Sequence, residues 1–222
     1  MALDSVKSAR QIISAMRKPT DLRQIVMQAS LALIEEGGLD RLSMREVARK
    51  AGVSHQAPYH YFEDREAILA ALAGEGFSSL GQSLERAAVQ AGSNAAKAVE
   101  DMGRAYVEFA LRHPAYFQAM FRADAVPLDR YPDARKLEDE AFGKLVEGIG
   151  KAFGHHPTED RQAIAVACWS MVHGLATLIL EGSLARKLKI PKTRQRQMAN
   201  EVIGTFTRLL SKDRSGPRNS AA

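Results

Sequence analysis

The stretch SMREVARKAGVSHQAPYHYF, residues 43–62, decides the fold. Ser43 stands three residues before Glu46, the spacing at which each side chain satisfies the other's unpaired backbone amide at a helix start. The pattern predicts a short helix with Met44, Val47, Ala48 and Ala51 inward, ended by the turn that Gly52 permits. Ser54 is placed to cap a second helix of about two turns. Two short helices joined through Ala51, Gly52 and Val53 make a helix-turn-helix.

The second half of the stretch carries two histidines, two tyrosines and a proline. A metal site is one reading of His55 and His60, but five residues of helix set them roughly 140° apart, too far round to share an ion. No metal-binding spacing of His, Glu or Cys accompanies them, and the adjacent His155 and His156 read as a loop or helix-edge pair. A core reading covers Val53, Phe62 and the ring of Tyr61. It leaves His55, Gln56, Tyr59 and His60, which share one helix face, all hydrogen-bond and include no carboxylate. A polyanion displaying base edges selects such a set: Gln56 can bond adenine in a bidentate manner, and Tyr59 or His60 can reach phosphate oxygens. Pro58 limits the helix, because proline in a helix interior costs about 3 kcal/mol. Falling four residues after Ser54, it requires a helix that is short or begins later than Ser54.

Around this stretch the chain reads as all-α, about nine helices, with no alternating strand pattern and no hairpin signal. Apolar residues from Leu22 to Leu33 recur at helical spacing up to Gly37 and Gly38, which predicts a first helix over residues 21–36. A long helix follows Asp64 and carries Gly74, Gly76 and Gly81, each costing about 1 kcal/mol relative to alanine, which suggests bending or close packing there. Further helices are expected over 94–112, 114–121, 133–153, 159–184 and 193–210, with a loop over 122–132. The domains expected are an arm over 1–19, a helix-turn-helix head over 20–66, a helical body over 67–212 and a disordered tail over 213–222.

The composition is that of an ordinary globular protein, and the single cysteine, Cys168, excludes an internal disulfide, so a cytoplasmic location is expected. Residues 1–19 lack the apolar run of a secretory signal. Residues 164–180 carry no formal charge, yet Ser170, His173, Gly174 and Thr177 favour a helix buried by protein over a membrane span. The net charge of +5 tolerates an anionic partner, but residues 1–64 hold nine Lys/Arg against eight Asp/Glu, so placement rather than excess charge carries any DNA reading. No nucleophile motif or phosphate-binding loop is present, Cys168 lies in the apolar run where it is inert, and neither catalysis nor a cofactor is expected.

Residues 22–72 resemble the DNA-binding domain of the tetracycline-repressor (TetR) family of bacterial transcription regulators. The matching elements are Gly37, Ser43, Val47-Ala48, Ala51-Gly52-Val53-Ser54, Tyr59-His60-Tyr61-Phe62 and Arg65-Glu66, with Tyr61 where the family usually has histidine and Arg65 where it has lysine. Both departures keep a donor. The resemblance implies a homodimer that binds a near-palindromic double-stranded operator, usually as a repressor, and is released by a small-molecule effector. It places Ser43, Tyr59, Tyr61 and Arg65 on phosphates and His55, Gln56 and His60 toward the groove. Ser54 belongs to the same DNA-binding set. The residues alone add Arg45 and Arg23 as phosphate contacts, with a solvated surface charge as the alternative for each.

RHPAYFQAMF (residues 112–121) and the Trp169, His173-Gly174 pattern resemble the carboxy-terminal domain of one TetR subgroup. Trp169 and His173 share a helix face and could line an effector pocket with Met102, Tyr106, Phe109, Phe117, Met120, Phe121 and Met171; the alternative is that such residues are core. Dimerisation is expected through the last two long helices, using Val172, Leu175 and Ile179 of one and Met198, Val202, Phe206 and Leu209 of the other.

Overall fold

The computed structural model describes residues 19–122, 126–154 and 158–212. The expected arm up to residue 18, the tail over 213–222 and the His155–His156 pair lie outside the described residues. Nine α-helices and three short 3₁₀ turns make up the described architecture: α1 Pro19–Gly37, α2 Met44–Ala51, α3 Arg65–Gln90, α4 Ala95–Arg112, α5 Pro114–Phe121, α6 Pro132–Ala152, α7 Thr158–Leu180, α8 Ser183–Leu188 and α9 Lys192–Lys212. No strand occurs among them. Two expected elements differ. The helix predicted over 159–184 ends at Leu180, because Gly182 at φ 69° turns the chain, and α8 follows. The predicted loop over 122–132 contains a 3₁₀ turn at Leu128–Arg130.

Helix ends follow local chemistry. The side chains of Ser43, Asp64 and Asn94 accept from the amides of Glu46, Ala67 and Lys97, three residues on in each case. The reciprocal half expected of Glu46 is not made: its carboxylate turns to Arg49, with Oε2 at 2.7 Å from Nη2. At the other end of α2, Gly52 sits in the left-handed region at φ 67°, where its amide returns to the carbonyls of Ala48 and Arg49.

The head is α1, α2 and the first turns of α3 around Val26, Leu33, Leu42, Val47 and Phe62, with Ile68, Leu69 and Leu72 of α3 completing the same core. An expected boundary after residue 66 therefore passes through one packed unit. Helix α5 closes it from the far side: Ala115 and Ala119 enter the head core, while Phe117 and Met120 enter the core of the body. The body packs α4, α5 and α6 along α3, with α7 and α9 beyond them against α4. The α3 glycines mark close packing. A Cβ on Gly76 would lie 2.6 Å from Met120 Sδ, and one on Gly74 would lie 3.3 Å from Leu137 Cδ1.

Helix α7 is long and apolar enough to cross a membrane, and 33% of its most apolar window is buried inside the chain. The protein cover expected on most of its sides is thus only partly supplied by this chain. Its inner face, with Ala165, Cys168, Val172, Leu175, Ala176 and Ile179, is buried, while Val166 and Leu178 stand out at 50% and 45% exposure.

Candidate nucleic-acid interface and internal cavity

The second element of the helix-turn-helix is not the two-turn α-helix expected. Ala57 donates to the Ser54 carbonyl at 3.0 Å, Tyr59 to Gln56 at 3.1 Å and Tyr61 to Pro58 at 3.1 Å, a run of three-residue spacings with a 3₁₀ turn at Pro58–His60. Pro58 supplies the cause, since it has no amide to donate and takes a first-turn position, where the bond would be missing anyway. At Ser54 the bond that opens the element is made by the backbone carbonyl rather than the side chain expected to cap it.

The short element still presents the residues singled out from the sequence. Ser54, His55, Gln56, Tyr59 and His60 are exposed, while Ala57 and Pro58 turn inward and Phe62 is buried in the head core. The rings of His55 and Tyr59 lie 5.9 Å apart, so these two form one raised edge. Ser43 and Arg45 at the start of α2 are exposed beside this turn in the motif. Tyr61 is half-buried against the head core.

Two arginines expected on phosphates have other partners. Arg65 Nε donates to the Leu42 carbonyl at 2.9 Å and Nη2 to the Leu39 carbonyl at 2.8 Å, so its guanidinium staples α3 to the turn between α1 and α2. Arg23 lies with its guanidinium carbon 5.4 Å from the Phe62 ring centre, and its Nη1 is 3.6 Å from Glu75 Oε1. The Arg65 assignment came from the resemblance and that of Arg23 from charge and position; the carbonyls that claim Arg65 come from residues 23 and 26 positions away, which no local pattern displays.

In the body, an apolar cavity of about 260 Å³ lies between α3, α4, α6, α7 and α9, with Phe121 at the end of α5 in its wall. Of the residues expected to line it, Met102, Tyr106, Phe121, Trp169 and Met171 do so. Phe109, Phe117, Met120 and His173 are absent from the wall. Phe109, Phe117 and Met120 are buried in the body core, and Met120 packs against Gly76. His173 sits behind the wall, its Nδ1 hydrogen-bonded to the Tyr106 hydroxyl at 2.9 Å and its ring stacked on Phe117 at 5.2 Å. Burial lowers the imidazole's pKa and raises that of the Tyr106 phenol, so both groups are held neutral. Cys168 also faces the cavity, and burial pushes its thiol up to about 11, away from the reactive thiolate.

The sequence reading missed Phe77, Leu80 and Leu84 of α3 and Phe142 and Leu145 of α6 as lining residues. Their helical spacing marks an inward face, but periodicity does not separate a core from a hollow. A signal existed on α6, where Arg135, Glu138 and Phe142 share one face at spacings of three and four. Charged and aromatic side chains that alternate on one half-exposed helix face are placed to line the mouth of a cavity.

The dimer residues divide differently from expectation. Val172, Leu175 and Ile179 are buried in this chain's own core, and Val172 and Phe206 line the cavity. Helix α9 buries Gln195, Ala199, Ile203 and Thr207, leaving Met198, Val202 and Phe206 half-buried and Leu209 exposed at 62%. Exposed apolar side chains remain on the opposite face of α7, at Val166 and Leu178, and at Leu209 of α9. Among the described residues, no group of three or more His, Cys, Asp or Glu side chains is arranged to hold a metal ion.

The chain matches two family models: bacterial regulatory proteins of the tetR family over residues 26–72, and the tetracyclin repressor-like C-terminal domain over residues 99–210. It is 29% identical over 147 residues to the HTH-type transcriptional repressor KstR of Mycobacterium tuberculosis, a match that covers 64% of each chain and so less than two thirds of that relative. Among solved structures, a protein of unknown function from Rhodococcus sp. RHA1 superposes with a TM-score of 0.72 at 31% identity, covering 86% of this chain and 94% of that one. The transcriptional regulator FadR from Bacillus subtilis, solved with stearoyl-CoA, superposes with a TM-score of 0.63 at 16% identity over 83% of this chain and 97% of that one, a likeness of fold.

Proposed function

The chain belongs to the TetR family of bacterial regulatory proteins, and from that premise we propose that it is a homodimeric transcriptional repressor whose hold on a palindromic operator is released by a small molecule in the body cavity. The observation that carries the reading is the exposed polar edge His55, Gln56, Tyr59 and His60, raised on a rigid turn and free of carboxylates. Gln56 reads a base edge, while Ser43, Arg45, Tyr59 and His60 address phosphates, the division of labour by which contacts specify and position. Arg65 acts one step back by fixing the turn before α2 to α3. The repressor sense is supported by the KstR relatives, which carry that name. A regulator of this kind works in the cytoplasm, catalyses nothing and needs no cofactor.

Coupling between the two sites has a physical route. Phe77, Leu80 and Leu84 of the cavity wall stand on α3, the helix whose first turns complete the head core. Helix α5 is a second connection, with Phe121 in the cavity wall and Ala115 and Ala119 in the head. An effector that favours one position of these helices shifts the population between two spacings of the paired heads. Pairing uses the outward face of α7 with α9, because two-fold symmetry presents two reading elements to one face of the duplex.

The test is a titration of DNA from upstream of the protein's own gene, at several salt concentrations, against the wild type and a Gln56→Ala/Tyr59→Ala variant. Selective, salt-sensitive binding that weakens at least ten-fold in the variant is expected, since one bidentate base contact is worth about 1–3 kcal/mol. Equal binding to random DNA, unaffected by the variant, would overturn the proposal.

A further inference from the structure

The cavity is apolar within and acidic at its mouth. Its inner wall is carbon, from Phe77, Met102, Tyr106, Ile203 and Phe206 among others. The charged residues of the wall gather on α6, where Arg135, Glu138 and Asp139 line the same space as Phe142 one turn further on. Arg135 is outnumbered there: its Nη1 lies 2.8 Å from Asp129 Oδ1, and its Nε lies 3.4 Å from Glu138 Oε2 and 3.6 Å from Asp139 Oδ1. Asp129 stands outside the wall and holds the guanidinium at its shortest contact, so the wall itself sets two carboxylates, Glu138 and Asp139, against one cation that already has a partner, and the opening of the low-dielectric hollow is left net negative. Clefts of that kind focus field lines on an incoming charge.

Two aromatic rings flank this acidic end. Phe142 and Trp169 both line the cavity, and their ring centres lie 5.6 Å apart at an interplanar angle of 64°, which makes a corner of two faces. Phe142 is 38% exposed, so the corner stands at the opening rather than in the core. Aromatic faces attract cations and do nothing for anions. Carboxylates and ring faces are independent features of the mouth, and both select the same sign of charge.

From this geometry we propose that the effector is an organic cation, an apolar or aromatic body with a protonated amine or quaternary ammonium head. The inference rests on the cavity being the effector site. The body fills the space between α3, α4 and α9, and the head sits between Glu138, Asp139 and the Phe142–Trp169 corner. Desolvation already raises the pKa of the Glu138 carboxyl, and a cation beside it reverses that shift by favouring the ionised form. A molecule with a carboxylate or phosphate head meets repulsion at the same place.

Trp169 is the single tryptophan of the chain, so its fluorescence reports on the mouth directly. The experiment titrates the full-length protein with a phenylalkyl-trimethylammonium series, the tert-butyl isosteres that lack the charge, and the matching phenylalkyl carboxylates. Binding is followed by Trp169 fluorescence and checked by calorimetry. The cation is expected to bind at least ten-fold more tightly than its neutral isostere, and a Glu138→Gln/Asp139→Asn variant that melts like the wild type is expected to bring the ratio close to one. An isostere or carboxylate that binds as well as the cation, or a ratio unchanged in the variant, overturns the charge assignment while leaving the cavity an effector site. Binding of none of the three compounds removes the effector site itself, and the proposal with it.

Discussion

The Tyr116 hydroxyl donates to Glu75 Oε2 at 3.0 Å, tying α5 to α3 where the head meets the body. The other oxygen of that carboxylate faces Arg23 of α1 at 3.6 Å, so one side chain of the long helix is held from both sides. Burial, then the bond to Glu75 and its charge, push the Tyr116 phenol up to about 12, which keeps it a donor through the physiological range. Tyr116→Phe deletes one charge-assisted bond at a partly solvated site and is expected to cost about 1 kcal/mol. Thermal unfolding should show a fall of about 3 °C. Operator affinity should change along with it, although Tyr116 lies far from the DNA-reading turn in sequence and is not part of it. An unchanged melting point and unchanged operator binding would remove the pair from the coupling route.

Arg65 separates a structural role from a DNA contact. Its two bonds to the carbonyls of Leu39 and Leu42 predict that Arg65→Ala loses about 2 kcal/mol of stability with no DNA present, because charged donors leave two acceptors behind. Arg65→Lys keeps the charge but not the planar fork and is expected to recover only part of that loss. A side chain serving phosphate alone would leave the melting point intact and lower the salt dependence of binding by about one counterion.

The head was legible because its signals are local. Ser43, Gly52 and Asp64 mark helix ends by their own side-chain or backbone chemistry, and each stands where its type predicts. The form of the reading element was less legible: Pro58 announced a constraint, but only the observed bonds show a 3₁₀ run in place of an α-helix. Face assignments in the body failed where two apolar faces compete. Helix α7 is apolar nearly all round, so its sequence does not say which face this chain covers, and Val172, Leu175 and Ile179 went to the interior. The cavity depends on where six helices stand, information no single helix holds.

His173 gives the fold a pH dependence with a definite sign. Burial lowers its pKa below the ordinary value of 6.5, so in mildly acidic solution the unfolded chain binds a proton that the folded chain refuses. Its contribution to stability is full above that value and is lost as pH falls through it, down to the folded-state value. His173→Asn keeps a polar partner for Tyr106 and removes the titration. Melting temperatures measured from about pH 7.5 to about pH 5.5 should fall further for the wild type than for the variant. Parallel curves would show that His173 does not titrate in this window.

The outward face of α7 predicts how the protein pairs. Val166 and Leu178 flank a line of small residues, Ala163, Ala167, Ser170 and Gly174, and a Cβ placed on Gly174 would meet nothing of this chain within 4 Å. A face so apolar and so shallow suits close approach of a symmetry-related helix. Val166→Glu/Leu178→Glu is expected to give a folded monomer, seen by light scattering after size exclusion, with operator affinity lowered at least ten-fold because one head loses its mate. Gly174→Leu tests the same face without adding charge: inside one chain it gains helix propensity of about 1 kcal/mol, while in a dimer it stands in the partner's place. By contrast, Val172→Ala should lower stability by about 1–3 kcal/mol and leave the oligomeric state alone. A dimer that persists in both outward variants and dissociates in Val172→Ala would return the interface to the inner face, against the burial seen here.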